Sequence, residues 1–266
     1  MSATPDPGGP YESPLLNRLR ANLRHGLDPA FDFLQFADTP WTTPRAPVRE
    51  LTVALVATAD LHRRGDRPFV SLETPWGDTS FRVIPHELPE AELALDAPYV
   101  DEKFLPRDPE VALPRRALDE LVAAGEVGAA AARHYSFAQG IVRALPGLAD
   151  GAREVAAMLR EDRAGAVVLL PTCSLCVQSV AVLARELETR GFPTVALSLL
   201  SELTARVGAP RALAVHFPFG APAGDPKNSA LHVAVLREAL ALLESAQEPR
   251  QVVASALRWR REVSPA

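Results

Sequence analysis

The feature that most constrains this chain is the rhythm of its second half, where short apolar runs alternate with amphipathic stretches from residue 151 to residue 244. Gly151 to Glu161 reads as a helix, and Ala166-Val167-Val168-Leu169-Leu170 as a strand buried on both faces. After Pro171-Thr172 turns the chain, Ser174 to Arg190 carries Val177, Val180, Ala181, Ala184 and Leu187 at helical spacing, and Gly191 follows as a cap. A strand over Thr194 to Leu199, a helix near Ser201 to Val207, a strand over Ala212 to Phe217 and a helix through Leu231 to Glu244 complete the series. Repeated alternation of this kind predicts an α/β fold: a mostly parallel sheet with helices on both faces.

The first half is less regular. Leu51 to Ala57 is a continuous apolar stretch rich in β-branched residues, the pattern of another buried strand, and Thr58 to Asp66 is expected to be a loop at the sheet edge. Two short extended pieces between Val70 and Pro85 flank the turn signal Trp76-Gly77-Asp78. A helix is expected over Arg115 to Ala124, opened by Pro114 and stopped by Gly125. The small-residue tract Gly128 to Ala132 leads into His134-Tyr135-Ser136-Phe137, which the sequence assigns to no regular element. Residues 1–50 read as an irregular, Pro-rich N-terminal arm and residues 51–266 as the α/β domain, with a sub-boundary near residue 150 left open.

Composition narrows the function classes. A net charge of −5 gives no cationic surplus for phosphates, so nucleic acid is not an expected partner. No stretch reaches the roughly 18 apolar residues of a membrane span, and the first 14 residues lack the apolar core of a signal peptide, so a cytoplasmic protein without membrane association is expected.

The only two cysteines, Cys173 and Cys176, stand three apart at the turn from strand to helix. Loops at the carboxyl ends of parallel strands converge with helix N-termini, whose free N–H groups and dipole favour thiolate and lower a thiol pKa. Cys173 is the expected nucleophile, and Cys176, one helical turn on, the residue that resolves an adduct as a disulfide. Thr172 or Ser174 is expected to cap the helix and donate to the sulfur. Zinc binding needs a second pair of ligands that the sequence does not supply, so no metal is expected. His216, ending a strand on the same sheet edge, is a candidate proton donor, as is His134 more weakly. Asp78 and Arg82 are candidates for a substrate's amine and carboxylate, although a turn Asp capping its own backbone and an Arg on a solvated strand serve as well. The loop Phe219 to Gly224 lacks a nucleotide-binding pattern.

Several segments together resemble the selenoprotein B family of glycine, sarcosine, betaine and D-proline reductases, particularly its short members. They are Val53 to Thr58 with Gly65-Asp66, Gly77 to Pro85, His134 to Phe137, Leu170-Pro171-Thr172-Cys173-Ser174-Leu175-Cys176-Val177-Gln178-Ser179, Gly191 to Thr194, and Pro210-Arg211 through Phe217-Pro218-Phe219-Gly220. The resemblance implies that Cys173 occupies the family's selenocysteine position, with Cys176 as its partner cysteine. In that family the selenolate attacks a carbon bearing an amine activated by a companion pyruvoyl-bearing subunit. The expected function is therefore a thiol-dependent oxidoreductase. Its expected substrate is a small amino acid or amine-like molecule, with no bound cofactor and an external dithiol or thioredoxin-type electron donor. A partner reductase subunit fits the resemblance, and a homo-oligomer is left open by the sequence. The competing expectation is a non-catalytic partner subunit or redox-sensing binding module on the same fold.

Overall fold

A computed structural model describes residues 11–70, 77–96, 103–143 and 145–259. At its centre lies β1 (Thr52–Thr58), whose residues after Thr52 are all buried. It is hydrogen-bonded in parallel to β7 (Ala166–Pro171) on one side and to β6 (Arg133–Phe137) on the other. Beyond β7 the sheet continues in parallel through β8 (Thr194–Ser198), β9 (Arg211–Ala214) and β10 (Gln251–Ala254). Beyond β6 it closes with β3 (Phe81–Pro85), which runs antiparallel, and the two-residue β5 (Ala129–Ala130) pairs with the start of β1. Strands from both sides of residue 150 thus share one sheet.

Period-two alternation sorts the core into two layers. Val53, Leu55 and Ala57 of β1 and Val168 and Leu170 of β7 face α2 (Arg115–Ala123) and α6 (Ser229–Ser245). Ala54 and Val56 with Val167 and Leu169 face α3 (Gly147–Glu161), α4 (Ser174–Glu188) and α5 (Ser201–Val207). Each of the buried valine and leucine side chains among these contributes about 1.5–3 kcal/mol relative to exposure. The mostly parallel sheet covered on both faces is the architecture that the alternation predicts.

Several local expectations need correction. The N-terminal arm is not wholly irregular: α1 (Pro14–Gly26) lies within it, capped by Ser13, whose Oγ accepts the Leu16 N–H at 3.3 Å. Its apolar stripe of Leu16, Leu19 and Leu23 is narrow, and it packs on the α3/α4 layer. The stretch after Thr58 is not simply a loop, because β2 (Leu61–Arg63) pairs antiparallel with β4 (Leu93–Leu95). Strand β9 ends at Ala214 rather than Phe217, and the edge strand β10 has no counterpart in the sequence reading. His134 to Phe137, unassigned from sequence, belongs to β6. Trp76 and most of the first extended piece before β3 lie outside the described residues.

The rest of the arm is tied to the body by polar bonds. Gln178 of α4 accepts the Leu34 N–H at 2.7 Å, and Arg211 donates to the Thr42 carbonyl at 2.7 Å while stacking 3.5 Å from the centre of the Trp41 ring.

Candidate active site at the cysteine turn

β7 delivers the chain to the carboxyl end of the sheet, where Thr172 turns it into α4. Cys173 is itself the N-cap of α4, in extended backbone conformation, and its sulfur accepts the Cys176 backbone N–H at 3.2 Å. The expectation that Thr172 or Ser174 caps this helix is thereby corrected: a cap residue must precede the first helical turn with its side chain turned back on it, and only Cys173 is so placed. Cys173 and Cys176 are joined as a disulfide with their Cα atoms 4.8 Å apart. Cys173 is half-buried, whereas Cys176 is fully buried.

The floor of the turn is built from β1. The Thr172 hydroxyl donates to the Thr58 carbonyl, and Cys176 Sγ lies 3.5 Å from that same oxygen and 3.7 Å from the Thr172 hydroxyl. In the dithiol state the Cys176 S–H has a ready acceptor there. The Gly220 N–H donates to the Thr172 carbonyl at 2.6 Å, which brings the loop after β9 against the cysteine turn and sets the exposed Phe219 beside it. Gly220 has a φ of +93°, a conformation that glycine adopts without strain.

The remaining residues singled out from sequence are distributed along the sheet rather than gathered at the sulfur. Ser174, half-buried, follows Cys173 as the first residue of α4. His216 is exposed just beyond β9, two strands or roughly 10 Å across the sheet from β7. No hydrogen bond links it to either cysteine among the described residues. Asp78 and Arg82 lie at the start of β3, three strands or roughly 14 Å to the other side. They border a cleft of about 540 Å³ together with Asp66, Arg67, Val70 and Ser80.

Both residues are engaged by their own neighbourhood. Asp78 accepts the Val70 and Ser80 N–H groups at 3.0 and 2.7 Å. Burial pushes its carboxyl up, but these bonds and the nearby Arg82 outweigh it and hold the group below the usual carboxylate range. Arg82 donates to the Arg67, Pro68 and Phe81 carbonyls and to the Ser80 hydroxyl, and stacks 4.3 Å from the centre of the Phe69 ring. Gly77 before them has a φ of +88°, and a Cβ there would sit 2.8 Å from the Ile141 Cα, so the turn requires glycine.

His134 is directed away from the cysteines into the α2 side of the core. Its Nδ1 accepts the Leu55 N–H at 3.1 Å, which leaves Nε2–H to donate to His86 Nδ1 at 2.8 Å, and His86 Nε2–H to donate to Asp119 at 2.8 Å. Burial first, then the proximity of His86 and the Arg115 guanidinium, holds the His134 imidazole well below its ordinary range. A contact between His134 and a substrate at Cys173 is not compatible with this placement.

Thr58, whose carbonyl meets both the Thr172 hydroxyl and the Cys176 sulfur, was not singled out as a site residue from the sequence. Thr58 closes β1, and Gln139 follows β6 with its backbone N–H donating to Asp60 Oδ1 at 3.0 Å. Polar residues at strand ends could have marked Thr58. Among the described residues, no cluster of His, Cys, Asp and Glu is arranged to hold a metal ion.

The chain is 28% identical over 200 residues to the D-proline reductase subunit gamma of Acetoanaerobium sticklandii, covering 75% of this chain and 81% of that subunit. It is 28% identical over 130 residues to the sarcosine reductase complex component B subunit beta of Peptoclostridium acidaminophilum, covering 48% of this chain and 30% of that subunit. No family model and no solved structure matches the chain. The resemblance read from the motifs around Cys173 is thus borne out: the chain is similar to components of the D-proline and sarcosine reductases.

Proposed function

We propose that this chain is the thiol-bearing component of a reductase complex, in which the Cys173–Cys176 pair cycles between dithiol and disulfide to reduce a small amine-bearing substrate. The observation that carries the reading is the placement of Cys173 as the cap of α4 at the carboxyl end of a parallel sheet, bonded to a buried Cys176 one turn along. The unpaired N–H groups and positive dipole end of α4 favour the thiolate of Cys173 once the disulfide is opened.

In the proposed cycle an external dithiol or thioredoxin-type donor reduces the disulfide by exchange, delivering two electrons and two protons and leaving as its own disulfide. The Cys173 thiolate attacks the substrate carbon, forming a C–S bond as the C–N bond breaks and the amine departs with a proton. Cys176 then attacks the Cys173 sulfur. The C–S electron pair passes to the carbon, which takes a proton, and the disulfide is restored. Activation of the amine falls to a partner subunit, in keeping with relatives that are named as subunits of reductase assemblies.

The test is a redox titration of the full chain in graded reduced and oxidised dithiothreitol, with iodoacetamide trapping read by mass spectrometry. The reading expects a two-electron transition of the cysteine pair and faster alkylation of Cys173 than of a free model thiol at neutral pH. It is abandoned if Cys173 alkylates no faster than that thiol. A pair that cycles but supports no turnover with D-proline or sarcosine and any partner subunit would instead fit the redox-sensing module.

A further inference from the structure

The cysteine turn is braced by the loop 215–228, which joins β9 to α6. Toward one end of the loop the Gly220 N–H donates to the Thr172 carbonyl at 2.6 Å. Farther along, the Ala223 N–H donates to the Val111 carbonyl at 2.9 Å, and the Lys227 N–H donates to Asp108 Oδ2. Ala221 and Ala223 are fully buried, so this part of the loop is packed into the core rather than laid over it. Lys227 has a φ of +64°, a left-handed conformation that a residue with a side chain keeps only where its surroundings hold it. Its N–H is the one that Asp108 takes.

Asp108 is 1% exposed and opens the short helical turn Pro109–Val111. Besides the Lys227 N–H it accepts the Glu110 N–H at 3.1 Å and the Arg116 guanidinium at 3.2 Å, which balances its charge. A carboxylate so engaged is a fixed point, because moving it would leave a buried ion and its donors unpaired. Asp108 thus ties down one end of the loop while the other end grips Thr172. The Thr172 carbonyl shares a rigid peptide plane with the Cys173 N–H. Fixing that plane fixes the pivot of Cys173, whose extended backbone, with φ −132° and ψ 177°, lays its sulfur on the Cys176 N–H at 3.2 Å. Once the disulfide opens, no bond between the sulfurs keeps Cys173 in that place.

We infer that Asp108 is a positioning residue for the cysteine pair: by anchoring the loop 215–228, it fixes the Thr172–Cys173 peptide and keeps the Cys173 sulfur on the Cys176 N–H in the dithiol state. The inference rests on the dithiol reading for what that sulfur does. A thiolate gains more from a backbone N–H than a thiol does, so a turn held in this shape stabilises the reduced, ionised form. The anchored loop therefore makes Cys173 more reactive at neutral pH and the disulfide easier to reduce. Asp108 acts on the sulfur only through the loop and the Thr172 peptide.

The experiment uses the full chain as wild type, Asp108→Ala, Gly220→Ala, the double variant and Leu118→Ala. Leu118→Ala is the control, since it hollows the buried face of α2 without removing a hydrogen bond of the loop. Two quantities are read: the pH profile of iodoacetamide alkylation at reduced Cys173, and the equilibrium of the disulfide with dithiothreitol. Asp108→Ala should slow alkylation at neutral pH about tenfold, the worth of one hydrogen bond to a charged group, and raise the midpoint of the profile. It should also shift the dithiothreitol equilibrium about tenfold, or about 30 mV, toward the disulfide. Gly220→Ala, which strains the turn that aims its N–H at Thr172, should do the same, and the double variant should be no slower than the slower single variant. Leu118→Ala should keep wild-type values of both quantities however much stability it loses. If Asp108→Ala does not fold, Asp108→Asn, which keeps the shape and turns one acceptor into a donor, decides with a smaller loss of the same sign. Unchanged rate and equilibrium in the Asp108 variants, losses that multiply in the double variant, or the same losses in Leu118→Ala overturn the inference. A wild-type Cys173 that alkylates no faster than a free thiol sinks the dithiol reading, while the dithiothreitol equilibrium of Asp108→Ala still decides the anchor.

Discussion

The sulfur of Cys173 accepts the backbone N–H of Cys176 at 3.2 Å, so the residue proposed as nucleophile is also the cap of the helix that presents it. Redox state and local helix geometry are thereby joined in one side chain.

Serine and alanine at position 173 separate these two roles. Cys173→Ser keeps an acceptor for the Cys176 N–H and should match the reduced wild type to within about 0.5 kcal/mol, whereas Cys173→Ala should lose about 1 kcal/mol. Urea unfolding in excess reductant measures both. Both variants should be inactive in disulfide cycling, so a Cys173→Ala protein as stable as Cys173→Ser would remove the capping role.

Acid should act on the fold through His134. Burial holds its imidazole well below the ordinary range, so the unfolded chain binds a proton near pH 6.5 that the folded chain does not. Stability from this group is present above about pH 6.5 and falls as the pH drops below it, by about 1 kcal/mol between pH 7.5 and 5.5. Glu110, whose carboxyl burial pushes up to about 7 against the pull of Arg116, has the opposite slope, since it gains a proton in the folded state over the same window. The readout is therefore the difference between wild type and His134→Gln, which should show the weaker loss of stability in acid. Parallel pH curves for the two proteins would refute the assignment.

The ion pair between Arg211 and Glu188, at 2.6 Å with both side chains fully enclosed, should be costly to break from one side only. Glu188→Gln leaves the guanidinium uncompensated beneath Trp41 and should destabilise the protein by about 3–5 kcal/mol. Adding Arg211→Met should recover part of that loss. A double-mutant cycle in urea checks this, and additive losses would count against coupling.

Much of the architecture was legible in the residues because the signal there is strong. β7 is apolar through its length and β1 and β8 are apolar between hydroxyl-bearing ends, while α4 repeats small and branched residues at helical spacing, so burial and element type agree. The elements that escaped carry weak or conflicting signals. α1 has a narrow stripe among arginines and asparagine, β2 and β4 are three residues each, and β6 begins with Arg133 and His134, whose polarity is satisfied only by partners distant in sequence.

At the site, the chain by itself determined that two cysteines one helical turn apart follow a buried strand, because residue type and spacing are local properties. Only the tertiary structure decided their company. It set the Thr58 carbonyl beside Cys176, turned His134 into the core, and left His216, Asp78 and Arg82 strands away. Those outcomes depend on strand order and on which face each side chain takes. Both are fixed by the packing of the whole sheet against its helices and by no single stretch of sequence.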